Sequence, residues 1–207
     1  MAHLDPATLG PAAGLLQTWV LPVLLGLGLA SATGLRTFLP LLMLAIAARF
    51  GLFGVTLNEH LAWLGSLPAI AALGIAATVE FAGDKVPAID HALNVVGAFT
   101  RPIAGAIAAA SVFAGLDPTT AAIAGIIVGA PTAFAFNAAQ GGTRLASTAT
   151  TGGLGNPVLS FIEDGLSFGM VLIAFLAPVV VPIVLIGLAV LIFRLANRLR
   201  ERPAKAA

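Results

Sequence analysis

Apolar runs of about twenty residues, the length a helix needs to cross a bilayer core, fill the chain from about Gly14 to Ala196. The first stretch, about Gly14 to Phe50, is too long for one simple span. It is interrupted by Ser31-Ala32-Thr33-Gly34-Leu35-Arg36-Thr37. Glycine, small hydroxyls and an arginine predict a break there, giving two helices or a broken hairpin. A polar loop with Asn58, Glu59 and His60 precedes a helix over about Leu61 to Ala82. That helix runs into Glu80-Phe81-Ala82-Gly83-Asp84-Lys85-Val86-Pro87. The next segment covers Ile89 to about Gly115, and Arg101-Pro102 in its middle predicts a kink.

Asp117-Pro118 reads as a helix start, an N-cap followed by proline. The span it opens runs to about Phe136 and carries Gly125-xxx-Gly129, a small-residue packing face. Ala139 to Asn156 is rich in Gly and Thr. It is too polar to face lipid and too weakly charged for an ordinary solvated loop, so it predicts a loop dipping into the protein or a plain linker. Asn156-Pro157 opens a helix to about Leu176, and Pro178 and Pro182 break the chain again. A last span runs from about Pro182 to Ala196, and Arg194, Arg198, Arg200, Arg202 and Lys205 form a basic tail.

These elements predict an all-α fold: a polytopic transmembrane bundle of about six or seven spans, with broken helices and room for re-entrant segments. It forms a single domain over residues 1–207, with a short tail over about 1–14 and the basic tail from about 197. Composition agrees. Of 207 residues, 59% are hydrophobic and 9% charged, and mean hydropathy is +1.04. Soluble domains carry about 25% charged residues. The basic tail places the C-terminus in the cytoplasm. The absence of Lys or Arg before Arg36 places the N-terminus outside an inner (plasma) membrane, with Trp19 and Trp63 at the outer interface. Arg49 then falls outside, against the trend.

Net charge of +1 leaves no nucleic-acid footprint, and the absence of cysteine removes thiolate chemistry. There is no His-x-x-x-His pair, Gly-x-Ser-x-Gly elbow or phosphate-binding Gly-rich loop. No catalytic residue and no cofactor are expected; the sequence leaves a metal open. His91, beside Asp90, is a proton-handling candidate or a capping residue.

The chemistry lies in charges set within or beside apolar segments: Arg36, Lys85, Arg101 and Arg144 against Glu80, Asp84, Asp90, Glu163 and Asp164. A charge at a helix centre costs about 2.5–3.5 kcal/mol on insertion scales, so such groups pair, face a cavity, or work. Glu80 and Asp84 share a helix side. Asp90, Asn94, Gly97, Arg101 and Gly105 form one polar stripe; Ser160, Glu163, Asp164 and Ser167 form another. The topology gathers these groups in the cytoplasmic half around a polar pocket. Arg101, deeper in, is expected to pair with Glu163 or Asp164. Clustered carboxylates suit a hard cation or a proton relay. Arginines beside glycine-rich helix ends suit a phosphate. A purely structural, self-neutralising set of ion pairs accounts for the same residues. An echo links Pro22…Gly34-Leu35-Arg36 to Pro131…Gly142-Thr143-Arg144, the pattern of a repeat with two broken helices.

Glu80-Phe-Ala-Gly-Asp84-Lys85-x-Pro87-x-x-Asp90, Arg101-Pro102-x-Ala-Gly105 and Asn156-Pro157-x-x-Ser160-x-x-Glu163-Asp164, with the Gly34-Leu35-Arg36-Thr37-Phe38 break, resemble a family of bacterial integral membrane proteins of unknown function. The resemblance covers about Leu21 to Pro182 and implies a compact multispanning fold without supplying an activity. Glu80 to Lys85 is also similar to the Glu-x-Gly-Asp-Lys/Arg-Thr/Ser motif of cation/proton exchangers, with one residue added and Val86 in place of the hydroxyl residue. The functional expectation is a small permease or ion-coupled transporter. The alternatives are a lipid- or carrier-phosphate-handling protein and a non-transporting scaffold. Expected partners are membrane lipid and a small solute, ion or anionic lipid headgroup, with a homo-oligomer allowed.

Overall fold

A computed structural model describes residues 11–85 and 87–201; within them, some side chains, those of Asp90 and His91 included, lie outside the description. Every regular element among the described residues is helical. Helix α1 (Pro11–Leu15) passes through a π-helical turn (Leu16–Val20) into α2 (Leu21–Leu35). Pro22 has no N–H to continue the ladder there. Then come α3 (Phe38–Phe50), α4 (Leu67–Gly83), α5 (Pro87–Ser111), α6 (Pro118–Thr151), α7 (Asn156–Leu176) and α8 (Val181–Glu201).

The expected break is present. Arg36 is extended (φ −136°, ψ 120°), and the chain reverses between α2 and α3. Two aromatic contacts show the reversal. Trp19, ahead of α2, packs edge-on to Phe113 just past α5, and Phe53, beyond α3, stacks on Phe175 at the end of α7. The start of α2 and the end of α3 therefore share one end of the bundle, and Arg36 marks the other. Asp117 caps α6 as expected, its Oδ1 accepting from Thr120 N at 3.1 Å. Asn156-Pro157 opens α7.

Other expectations are corrected. Residues 139–151 form neither a dipping loop nor a linker: α6 continues as helix to Thr151. The hydroxyls of Thr150 and Thr151 bond back to Ala146 O (2.9 Å) and Ser147 O (2.8 Å), which satisfies them without breaking the helix. Gly152, at φ 62°, ends the helix in the left-handed conformation that glycine adopts freely. Gly142-Thr143-Arg144 therefore makes no second break, and the echo of Gly34-Leu35-Arg36 stops at sequence. Pro102 lies inside α5, which runs as one helix from Pro87 to Ser111. The helix expected over about Leu61 to Ala82 is present from Leu67 as α4, while its first residues belong to a 3₁₀ segment, Glu59–Gly65, bent by 65° from α4. The basic tail begins inside α8, which continues to Glu201; Arg202 and Lys205, like residues 1–10 of the N-terminal tail, lie outside the described residues.

Among the described residues, four helices are long and apolar enough to cross a membrane: Ala13–Leu35, Leu93–Ser111, Pro118–Thr151 and Asn156–Leu176. The bent pair makes a fifth if it counts as one span, so the expected six or seven is not reached by length and composition. Phe38–Phe50 and Pro178–Leu191 are shorter apolar helices. At 1.5 Å per residue, thirteen-residue α3 reaches only about 20 Å.

The helices pack through missing side chains. A Cβ at Gly34 would meet Ala133 O and Phe136 Cβ at 2.5 Å, and one at Gly125 would meet Ala110 Cβ at 2.5 Å. Gly105 and Gly129 bring the α5 and α6 backbones into direct contact. The expected Gly125-xxx-Gly129 face is thus a packing face.

Candidate functional site

The α2–α3 break creates the site's first demand. A helix beginning in the interior exposes N–H groups with no partner. The α4 carboxylate of Glu80 supplies one: Thr37 N donates to Oε1 at 2.9 Å and Phe38 N to Oε2 at 3.1 Å. Pro40 has no N–H to satisfy. Glu80 thus caps α3 from another helix, at the end where a carboxylate also meets the helix dipole favourably.

From the same break, Arg36 starts a chain of alternating charges. Its Nη1 donates to Asp84, which ends α4. Its Nη2 donates to Ser160 O (3.0 Å) and Oγ (2.7 Å) on α7. Its Nε lies 2.6 Å from Asp164 Oδ1, an ion contact without the alignment of a hydrogen bond. Asp84 Oδ2 also accepts from Arg144 Nη2 of α6 at 3.3 Å. Arg144 holds Glu163 of α7 with two donors, Nε to Oε1 at 3.2 Å and Nη2 to Oε2 at 2.5 Å. Glu163 Oε2 accepts from Gln140 Nε2 at 2.6 Å. Gln140 Oε1 in turn accepts from Arg101 Nη1 of α5, which also donates to Asn137 Oδ1 at 2.7 Å. One connected path thus runs from Asp164 through Arg36, Asp84, Arg144, Glu163 and Gln140 to Arg101, and ties α4, α5, α6 and α7 to the break. All its members except Asp164 are buried.

Convergence of Arg36, Arg144, Asp84, Glu163 and Asp164 is as expected, since Asp84 and Glu163 share one guanidinium. Two placements differ. Arg101 takes no acid: among the described residues no carboxylate lies within ion-pair distance of it, and Gln140 stands between it and Glu163. The missing side chain at Gly97 leaves room for it, since a Cβ there would lie 3.1 Å from Arg101 Nε. Lys85 joins no ion pair among the described residues. Its Nζ lies 4.0 Å from the Phe81 ring centre and 4.2 Å from that of Phe161, with Ser160 Oγ at 3.4 Å. The Asp90 side chain lies outside the described ones. Asn137 and Gln140 went unrecognised, although Asn137, Gln140 and Arg144 stand three and four residues apart, the spacing of one helix face.

Beside this path lies a cavity of about 370 Å³ between α3, α4 and α7. Its charged lining is Arg36, Glu80 and Asp164; its apolar lining includes Leu39, Phe81 and Phe168. Asp164 Oδ2 is shielded from solvent and accepts no hydrogen bond. Among the described residues, no three His, Asp or Glu side chains converge as a metal site would require. A second, apolar cavity of about 140 Å³ separates α7 from α2, α6 and α8.

Residues 23–198 match the model of a protein family described as Domain of unknown function (DUF4126). Nothing among the curated proteins or the solved structures matches the chain.

Proposed function

The chain belongs to this family, whose description carries no activity, and we propose from the site's geometry that it is a small permease for cations, with the Asp164 cavity as its binding chamber. The observation that carries this reading is Asp164, a carboxylate in the wall of the cavity with one oxygen in ion contact with Arg36 and the other accepting no hydrogen bond. A buried acceptor left unmet costs about 1–3 kcal/mol, more when charged. A cation or a proton arriving there recovers that cost. Moving protons and cations through one carboxylate is how an ion-coupled carrier exchanges them.

An anionic headgroup fits less well. Both Nη atoms of Arg36 already serve Asp84 and Ser160, and Arg144 serves Asp84 and Glu163. A phosphate would also meet Asp164 and Glu80. In the same reading α2 to α8 pass the bilayer seven times, α3 only partly, in a bacterial inner membrane with the C-terminus and the charged end toward the cytoplasm. A reporter fused after Ala207 that signals from outside the cell would overturn that orientation.

The transport reading is tested in proteoliposomes loaded with pyranine, to which Na⁺, K⁺, Li⁺, tetramethylammonium or benzyltrimethylammonium is added. The expected result is a change of internal pH with at least one cation, absent from empty vesicles and from Asp164→Asn. No response to any of them, from protein shown to be folded, removes the permease reading.

A further inference from the structure

The cavity's lining also restricts what it can hold. Arg36, Glu80 and Asp164 are its charged lining, one positive and two negative, with the Lys85 ammonium against the ring of Phe81. Glu80 is already committed to the amides of Thr37 and Phe38, so Asp164 is left to meet a ligand. A desolvated inorganic cation requires several oxygens at once, as calcium takes about six to eight. One carboxylate, with one oxygen already in ion contact with Arg36 and apolar neighbours around it, offers no such set. The volume, about 370 Å³, is far more than an ion needs and lies at the small end of organic-ligand pockets, about 300–1,000 Å³. The apolar part is partly aromatic, from Phe81 and Phe168, and aromatic faces attract ammonium groups. Phe81 already does so within the protein, carrying the Lys85 ammonium 4.0 Å from its ring centre. Both phenylalanines are also about half exposed, so the cavity lies at the outer edge of the helix bundle.

Resting on the permease reading for its role but on the cavity for its chemistry, we propose that this site binds a monovalent organic ammonium ion with an apolar body. Asp164 is its counter-ion, and Phe81 and Phe168 enclose its apolar part. The ligand reaches the site from the lipid side, between α4 and α7.

The test is equilibrium binding of benzyltrimethylammonium to the full chain in nanodiscs, with phenylacetate and 2-phenylethanol as anionic and neutral counterparts. Saturable binding is expected for the ammonium compound alone. Asp164→Asn should weaken it about tenfold or more, the loss of one charged contact. Gly165→Leu is a second variant that leaves the charges untouched. A Cβ at Gly165 meets nothing within 4 Å, so the leucine has room to fold and fills part of the chamber. It should abolish binding while the melting temperature holds. Phenylacetate binding as well as the ammonium ion, or ammonium binding unchanged in both variants, overturns the assignment. If benzyltrimethylammonium binds as expected while no cation alters vesicle pH, the site stands and the permease reading falls. If Na⁺ or K⁺ moves protons while benzyltrimethylammonium does not bind, the permease reading stands and this ligand class falls.

Discussion

The two ends of the bundle solve the same problem with opposite means. At one end a broken helix and several helix termini are held together by ionised side chains in series, from Asp164 to Arg101. At the other, one neutral amide does comparable work. Buried Asn58 donates its backbone N–H to Ser111 O at 2.7 Å. Its Nδ2 donates to Phe113 O at 3.1 Å and Leu116 O at 2.9 Å, and its Oδ1 accepts from His60 N at 3.3 Å. Ser111 O is the last carbonyl of α5, and Phe113 O and Leu116 O belong to the turn that follows it. Around them stand Trp19, Phe113, Phe53 and Phe175, and both side-chain polar atoms of Asn58 are satisfied. The difference teaches where function sits. A neutral cap closes its account locally and leaves nothing to bind, whereas the charged end spans several helices and leaves Asp164 one oxygen short.

Removing a shared cation should have the largest effect. Arg144→Leu leaves Glu163 without a cation and Asp84 with Arg36 alone, and breaking a buried pair costs about 3–5 kcal/mol. Thermal unfolding followed by fluorescence size-exclusion in detergent should show a severe loss; wild-type melting would mean that the ion path is not what holds this end. Gln140→Leu removes a neutral link and takes one partner each from Arg101, which keeps Asn137, and Glu163, which keeps Arg144; it should cost about 1.5–3 kcal/mol by the same assay. At the quiet end, Asn58→Ala opens the carbonyls after α5, for about 1–3 kcal/mol. The comparison becomes sharper if Asn58→Ala lowers stability without changing benzyltrimethylammonium binding, and fails if binding moves with it. The smallest effect is expected at Asp117, where hydrogen bonds from Thr120, side chain first and then backbone, hold the carboxyl below its usual range. Such a depressed value stabilises the fold above the ordinary carboxylate range, and that gain disappears as pH falls through the lowered value. The melting difference between wild type and Asp117→Ala should therefore shrink on acidification.

Much of this was legible in the sequence because a charge inside an apolar run has few places to go. The break before Phe38, the starts at Asp117-Pro118 and Asn156-Pro157, and the meeting of Arg36, Arg144, Asp84 and Glu163 all follow from that constraint. The role of Glu80 does not, since its partners are backbone amides exposed only once α2 and α3 separate. Arg101 misleads for a related reason: a guanidinium can be satisfied by amides as well as by acids, and Asn137 and Gln140 carry no charge to attract notice. Residues 139–151 look weakly helical by composition, yet burial of Gln140 and Arg144 against neighbouring helices holds them in α6. Tertiary contact overrides local preference there. Asn58 is one asparagine in a polar loop until the end of α5 is seen beside it.

The cap on α3 has a consequence for how the chain is built. Thr37 and Phe38 depend on a carboxylate more than forty residues later in the chain, and Arg36 on groups at positions 84, 160 and 164. During synthesis the hairpin formed by α2 and α3 therefore enters the membrane before its own tip can be completed. An arginine with no counter-ion then sits at that tip until α4 and α7 have followed. Chains stopped after residue 66, after residue 116 or after residue 176 sample three stages of that wait. Protease accessibility at the tip should fall first with α4, when Glu80 and Asp84 arrive, and again with α7. The order of helices along the gene is thus also the order in which the charged end becomes stable, and a quality-control protease would meet the unfinished tip of every chain that halts early.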